Sequence, residues 1–478
     1  MNTESETKSE TKSETKRKKF QMPHIYVILF ILMALAAIST HLIPAGEFER
    51  ITGPEGRESI DPESYTQVDA SPAGVEEFML AIPRGLVEAG EVVFFTLIIG
   101  GMFMVLRKTG IIEIGVNKLT TAFSTKSTAV IPVLMIAFAA VCGVIGTQEL
   151  SLVYVPVIIP LLIALGYDSM VAAAVALIAT TAGFMTGFLN PINTGLGQQI
   201  AEVPLYSGIE LRLIALVVIL GVGIIYVIRY AKKVQANPES SLVYEEDREK
   251  RETYSNPDES KSRRFTPRQK AAGVFLIGFF AILIYGVIAQ GWFMLEMSGL
   301  FIVMGIVVGM AAGLTAAQVC EGFNQGFREV LVGAIIVGVA RSVAVVMEDG
   351  QVMDTLIYNL GAVVGQFPGT LSAMGMFMSQ LLFNFLVPSG SGQALVTMPI
   401  MAPLSDMIGV TRQTAVLAFQ FGDGLGNILF PTSGYFMATL VLAGVSWHKW
   451  VKFYFPLFLI WAAIAAVFLI IAQVIQWQ

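Results

Sequence analysis

The sequence predicts an all-α polytopic membrane protein made of two inverted-topology repeats, with about nine transmembrane helices and two re-entrant hairpins. Three observations carry that expectation. Of 478 residues, 55% are hydrophobic and only 14% charged, against about 25% charge in ordinary soluble domains, and mean hydropathy is +0.69. Most apolar runs have the length that crosses a bilayer. Two runs are about twice as long and are interrupted mid-way by polar, glycine-rich sequence at matching places in the two halves.

Residues 1–22 repeat Ser5-Glu6-Thr7-Lys8 at 9–12 and 13–16. Such a tract cannot bury a core, so it reads as a disordered cytoplasmic tail. It ends in Lys16-Arg17-Lys18-Lys19, ahead of an apolar run at 25–43. That run is longer than a signal-peptide core and lacks a small-residue cleavage site, so it reads as an uncleaved first span with its basic flank in the cytoplasm. Segment 44–84 is rich in Asp and Glu but poor in Arg and Lys, and reads as external. Segment 231–270 carries ten Lys and Arg and reads as cytoplasmic. An even number of crossings must therefore separate residue 25 from residue 230.

Spans at 25–43 and 85–106, an interrupted span at 170–203 and a span at 209–230 satisfy that parity. Between them lie an interfacial segment at 111–122 and a hairpin at 129–165, broken by Gly143, Gly146, Thr147, Gln148 and Glu149. Parity alone would also allow the hairpin to be two crossings; its polar tip favours re-entry into protein or water. The second membrane unit, 271–478, opens with an extra span at 271–290. Spans at 297–314 and 327–347, an interfacial segment at 351–364, a hairpin at 371–408, an interrupted span at 413–445 and a last span at 450–475 follow. Pro156, Pro160 and Gly166 match Pro399, Pro403 and Gly409 at an offset of 243, while Gly110 and Pro191 match Gly350 and Pro431 at 240. The extra span turns the second copy upside down, an arrangement of many secondary transporters, and nine crossings leave the C-terminus external.

Several function classes lack support. Cys142 and Cys320 lie far apart, and His24, His41 and His448 are too scattered for a metal cluster. Basic residues flank apolar runs and form no nucleic-acid stripe. No Walker motif, His-Glu-x-x-His or Gly-x-Ser-x-Gly occurs, so the chain reads as neither an ATP-driven pump nor an enzyme, with no cofactor. A channel or a membrane-embedded enzyme remains the alternative class.

The candidate chemistry lies in the interruptions. Gly187-Phe188-Leu189-Asn190-Pro191-Ile192-Asn193-Thr194-Gly195 and Asp423-Gly424-Leu425-Gly426-Asn427-Ile428-Leu429-Phe430-Pro431-Thr432-Ser433-Gly434 cannot continue a helix without freeing backbone groups. Freed carbonyls with Asn, Thr and Ser oxygens suit a hard cation, and half-helix N-termini suit a carboxylate. The bland alternative is a proline kink satisfied by its neighbours. The second hairpin tip, Pro388-Ser389-Gly390-Ser391-Gly392-Gln393, offers hydroxyls and bare amides for a carboxylate group. Glu149, Asp423 and Arg341 are charges in apolar surroundings, where charge is usually functional or paired. Glu149 reads as the partner of a cationic group or as a proton carrier. Arg341 could pair with Asp423 and make both structural.

With the motifs around 189–195 and 388–393, the chain resembles the YfcC branch of the DcuC-type carriers, within the ion transporter superfamily, over about residues 20–475. The resemblance implies a homodimer in the bacterial inner membrane, elevator-type movement and ion-coupled or exchange transport of a small solute. It puts substrate and ion sites on Asn190, Asn193, Thr194, Ser389, Ser391, Asn427, Thr432 and Ser433, with sodium near Asn190, Asn427 and Thr432. The Ser-Asn-Thr triplet of some superfamily branches is absent, which leaves the coupling ion, Na+ or H+, open. C4-dicarboxylates and basic amino acids of the arginine/ornithine type are the substrates it implies. The residues favour the latter, because a dicarboxylate would meet one Arg341 against Glu149 and Asp423.

Overall fold

The computed structural model describes residues 25–52, 58–112, 114, 127–254, 266–366 and 370–478. The expected tail at 1–22, most of the interfacial segment 111–122 and part of the 231–270 loop lie outside the described residues.

Helices dominate, and among the described residues eight are long and apolar enough to cross a membrane. The first group is built on α1 (Ile25–Thr40), α2 (Val75–Glu88), α3 (Gly90–Lys108), α10 (Pro267–Gln290), α11 (Met294–Ala311) and α12 (Ala316–Asp349). α1, α2 and α3 pack along α12, α11 packs on α3, and α10 on α11. At 34 residues, α12 is about 51 Å long. It outruns the expected 327–347 span because Thr315 and Gln318 form a capping box that starts the helix in polar sequence. The expected span at 85–106 is two helices that share Ala89 as cap. α1 has only 16 residues, about 24 Å, and falls short of the length that defines the eight spans.

The second group contains both interrupted tracts. α4 (Val130–Ile145) and α5 (Leu150–Ala164) form the first hairpin. α6 (Ser169–Thr186), a π-helical turn (Pro191–Gly195) and α7 (Leu196–Ile200) form the first broken helix, and α8 (Ile209–Ala236) follows. In the second half, α13 (Met353–Val364) precedes the hairpin of α14 (Thr370–Asn384) and α15 (Gly390–Met407). Then come the broken helix of α16 (Arg412–Gly426) and α17 (Gly434–Ala443), and finally α18 (Trp447–Val474). Hairpin, broken helix and long helix thus recur in the same order. The α5 and α14 arms, at 15 residues, are about 23 Å long, shorter than the roughly 30 Å hydrocarbon layer. The second tip is the turn at 385–389, so Gly390, Ser391 and Gln393 stand in the first turn of α15 instead of outside a helix.

Every residue of α6 is buried, and α16 is buried from Gln413 to its end. Their alanine- and glycine-rich sequences let neighbouring backbones approach closely, so the two broken helices pack on each other at the centre of the group.

Two short loops of other structure frame this arrangement. Segment 44–74 is not a plain loop in an all-α chain. β1 (Gly46–Glu47) pairs antiparallel with β4 (Thr66–Gln67), and β2 (Arg50–Thr52) with β3 (Glu58–Ile60). The ribbons rest on α13 and α15: Arg50 pairs with Asp354 at 2.9 Å, Tyr65 stacks on Tyr358, and the Ser59 hydroxyl donates to the Leu395 carbonyl. At 238–254 the chain folds back, and α9 (Arg248–Tyr254) packs on α5.

Candidate functional site

Both breaks are real, and the side chains around them replace much of the lost backbone pairing. α6 ends at Gly187 in the left-handed conformation (φ +45°), and Pro191 removes the next donor. The Asn193 amide then donates to the Asn190 side-chain oxygen at 3.0 Å, and the Thr194 hydroxyl to the Gly187 carbonyl at 2.6 Å. In the second break α16 continues through Asp423 to Gly426, so the unwound stretch is 427–433, shorter than the sequence suggests. The freed carbonyls of Ile428 and Leu429 each find a side-chain donor: the Trp450 and Trp447 indoles donate to them at 2.7 and 3.0 Å.

The two hairpin tips and the two breaks meet. A Cβ at Gly146, in the first tip, would lie 2.0 Å from the Asn190 side-chain oxygen; one at Gly390 would lie about 3 Å from Phe184, Asp423 Oδ2 and Asn193 Nδ2. Only a residue without a side chain allows either approach. Behind the second tip sits Asp423, fully buried. Its Oδ1 accepts from the side-chain amides of Asn384 and Asn427, each at 3.0 Å, and its Oδ2 from Asn193 at 2.7 Å. Asn427 also donates to Gln148 of the first tip at 2.9 Å, Tyr435 donates to the same Gln148 oxygen, and Gln148 donates to Thr181. Asn384 donates to Gln393, whose amide donates to Gln380. This polar web joins both tips to both broken helices inside an apolar bundle.

In front of the web opens a cavity of about 590 Å³, within the size range of small-molecule sites. It is lined by 146–149 of the first tip, 386–391 of the second, and Asn427, Thr432, Gly434 and Tyr435. The first helix group contributes Glu88, Glu91 and Arg341.

The sequence-derived candidates therefore divide. Glu149, Ser389, Gly390, Ser391, Asn427 and Thr432 line the cavity; Asn193, Gln393 and Asp423 belong to the web behind it. Asn190 packs against the first tip. Ser433 is buried, and its hydroxyl finds no partner among the described residues. The Thr432 hydroxyl donates to the Phe385 carbonyl at 2.7 Å. Thr194 stands apart: it accepts from Gln420, which in turn accepts from Arg212, a fully buried guanidinium over the Trp477 ring.

Arg341 does not pair with Asp423. Its Nε lies 3.0 Å from Glu88 and its Nη2 3.0 Å from Glu348, while amides alone surround Asp423. The Glu149 carboxylate accepts no hydrogen bond from another described residue; its backbone carbonyl accepts from the Leu152 amide at 2.9 Å. Among the described residues no cluster of three or more His, Cys, Asp or Glu could hold a metal. Sequence motifs do not point to Gln380, Asn384, Gln420, Tyr435 or Arg212. The signal they carry is a primary amide, phenol or guanidinium inside a helix with otherwise apolar surroundings.

Known proteins share this sequence over nearly its whole length. The profile of the DcuC family, C4-dicarboxylate anaerobic carrier, matches residues 22–474. A protein of Escherichia coli strain K12 described as "Putative basic amino acid antiporter YfcC" is 32% identical over 91% of this chain and 93% of its own. Among solved structures, Neisseria gonorrhoeae MtrF, from a class of antimetabolite efflux pumps, aligns at 15% identity over 95% of this chain and 96% of that one, with a TM-score of 0.41. The Alcanivorax borkumensis YdaH transporter aligns at 14% identity over 95% and 99%, also at 0.41. By its sequence over residues 22–474, the chain is a multi-pass membrane protein that belongs to the DcuC family of carriers.

Proposed function

We propose that the protein is a secondary active carrier of a small carboxylate-bearing solute, an amino acid with a cationic side chain of the arginine/ornithine type, moved by exchange or ion-coupled symport. The observation that carries this reading is the charge of the cavity wall. The Glu149 carboxylate lines the cavity with no donor or cation from another described residue, Glu88 and Glu91 line it too, and the wall's cation, Arg341, is already engaged by two carboxylates. A solute's ammonium or guanidinium group would sit near Glu149, where attraction is strong in a poorly hydrated site. Its carboxylate would sit at the N-terminus of α15, among the backbone amides and hydroxyls of Ser389, Gly390 and Ser391. The description of the Escherichia coli relative agrees with that charge balance.

The two repeats are of inverted topology in this reading. The first helix group forms a static homodimer scaffold, and the group with hairpins and broken helices carries the solute across by an elevator movement in the bacterial inner membrane. The N-terminus is cytoplasmic and the C-terminus external. Asp423 and the oxygens of Asn190, Asn193, Thr194, Gln393, Asn427, Thr432 and Ser433 support the binding stretch, with Na+ or H+ as coupling ion.

Proteoliposomes loaded with ornithine test it. They take up labelled arginine, and Glu149→Gln lowers that uptake by about tenfold, the loss of one close charge partner. Uptake of succinate in its place, unaffected at Glu149, establishes a dicarboxylate carrier; flux that never saturates and never runs uphill establishes a channel.

A further inference from the structure

Arg341 occupies an unusual position. It lines the cavity between the tips and also an adjoining, larger one of about 740 Å³, together with Glu88. A solute that passes between the two cavities meets this guanidinium, the cation that both walls share. An arginine there would be the natural anchor for an anion, since its planar fork matches a carboxylate. Yet it is occupied from two sides. Glu88, the last residue of α2, takes its Nε at 3.0 Å, and Glu348, two turns further along α12, takes Nη2 at 3.0 Å. The arrangement is braced from outside. Arg84 holds Asp349, the neighbour of Glu348, at 2.6 Å and lies 4.0 Å from Glu88. Two positive charges (Arg84, Arg341) and three negative ones (Glu88, Glu348, Asp349) leave the cluster net negative.

We propose that Glu88 and Glu348 set substrate charge by keeping Arg341 neutralised, so that the entrance rejects dianions and admits solutes of zero or positive net charge. The proposal rests on the carrier reading above and adds its selectivity device. Specificity of this kind needs a repulsive element as well as an attractive one. The wrong solute, a dicarboxylate, finds no free guanidinium and faces carboxylates on both sides of the cavity. The right solute meets the same carboxylates as partners. Removal of the two glutamates would then release an anion-binding arginine without new machinery. Glu149 would still mark the cationic end, so arginine uptake falls but need not vanish.

The test compares labelled arginine and labelled succinate uptake in proteoliposomes of the full chain. In Glu88→Gln/Glu348→Gln the succinate-to-arginine ratio rises by about tenfold over wild type, the effect of one close charge pair gained. Adding Arg341→Gln abolishes the rise. Glu202→Gln/Asp406→Asn is the matched control. It frees Arg412, which those two residues hold at 2.7 and 2.9 Å away from both cavities, and leaves the ratio within about twofold. Should the double variant not insert, Glu88→Gln alone serves, with a rise of about threefold. Wild type that carries arginine, with a ratio unchanged in the variants or a rise that survives Arg341→Gln, overturns this proposal alone. Wild type that prefers succinate, or carries neither solute, overturns the basic amino acid reading above and this proposal together.

Discussion

Three side-chain amides converge on Asp423, while Arg212, just as buried, has only Gln420 and the Trp477 ring. The Arg212 Nε and Nη2 find no partner, and no carboxylate pairs with it among the described residues. Burial of an unpaired cation is costly, and its replacement by an apolar residue of similar volume is often neutral or stabilising. Arg212→Met should therefore hold or raise the melting temperature in detergent. Gln420→Leu should lower stability by about 1–3 kcal/mol, because it strips the guanidinium of its acceptor and Thr194 of its donor. A large loss of stability in Arg212→Met would mean that the cation supports the fold. At this scale the sequence is only partly legible. Glu149 and Asp423 stand out as charges in apolar tracts, but the partners of Asp423 come from residues 193, 384 and 427. Such distant sources leave no local pattern. Arg341 shows the same gap: it stands out as a charge in an apolar tract, but its place on the cavity wall and its pairing with Glu88 and Glu348 in place of Asp423 leave no local pattern.

Among the elements, the hairpins and breaks were legible because their causes are local. Glycine, proline and polar residues in the middle of an apolar tract have few helical solutions. Their ends were not, because capping decides them: Ser389 caps α15 through the Gly392 amide, which draws Gly390 to Gln393 into the helix. The ribbons at 46–67 were hidden too, since strands of two or three residues have no usable periodicity. A similar long-range tie holds the segment after α8. Lys250 donates to Asp247, to the Ser169 hydroxyl at the start of α6, and to the Ala443 carbonyl at the end of α17. Asp247 is fully buried and also accepts the Ser169 amide. One lysine thus fastens the outer ends of both broken helices to the same loop. Lys250→Met leaves the Asp247 carboxylate short of its cation and the last α17 carbonyl short of a donor. A destabilisation of about 1–3 kcal/mol should follow, together with faster proteolysis within 238–254, because a buried charge loses its partner. Unchanged protection of that segment would place the fastening elsewhere.

For the molecule as a whole, the contacts between the two helix groups decide whether they can slide. α17 packs on α12 across that boundary; a Cβ at Gly434 would lie 3.5 Å from the Cβ of Val337, a separation that suits a disulfide. Oxidised Val337→Cys/Gly434→Cys should abolish uptake, with recovery on reduction. The ribbons, by contrast, rest on α13 and α15 of the second group. In Arg50→Cys/Asp354→Cys the gap the guanidinium filled is too long for a disulfide; a short bifunctional thiol cross-linker there should leave most uptake intact, because in the elevator reading proposed above ribbon and hairpin travel together. Equal activity of both cross-linked proteins would argue against relative movement of the groups. The second break adds a practical consequence. Two of the chain's five tryptophans, Trp447 and Trp450, hold its carbonyls from behind. Indole emission responds to the loss of such a bond, so the unwound stretch beside the cavity carries a built-in optical reporter, readable on unlabelled protein when candidate solutes are added.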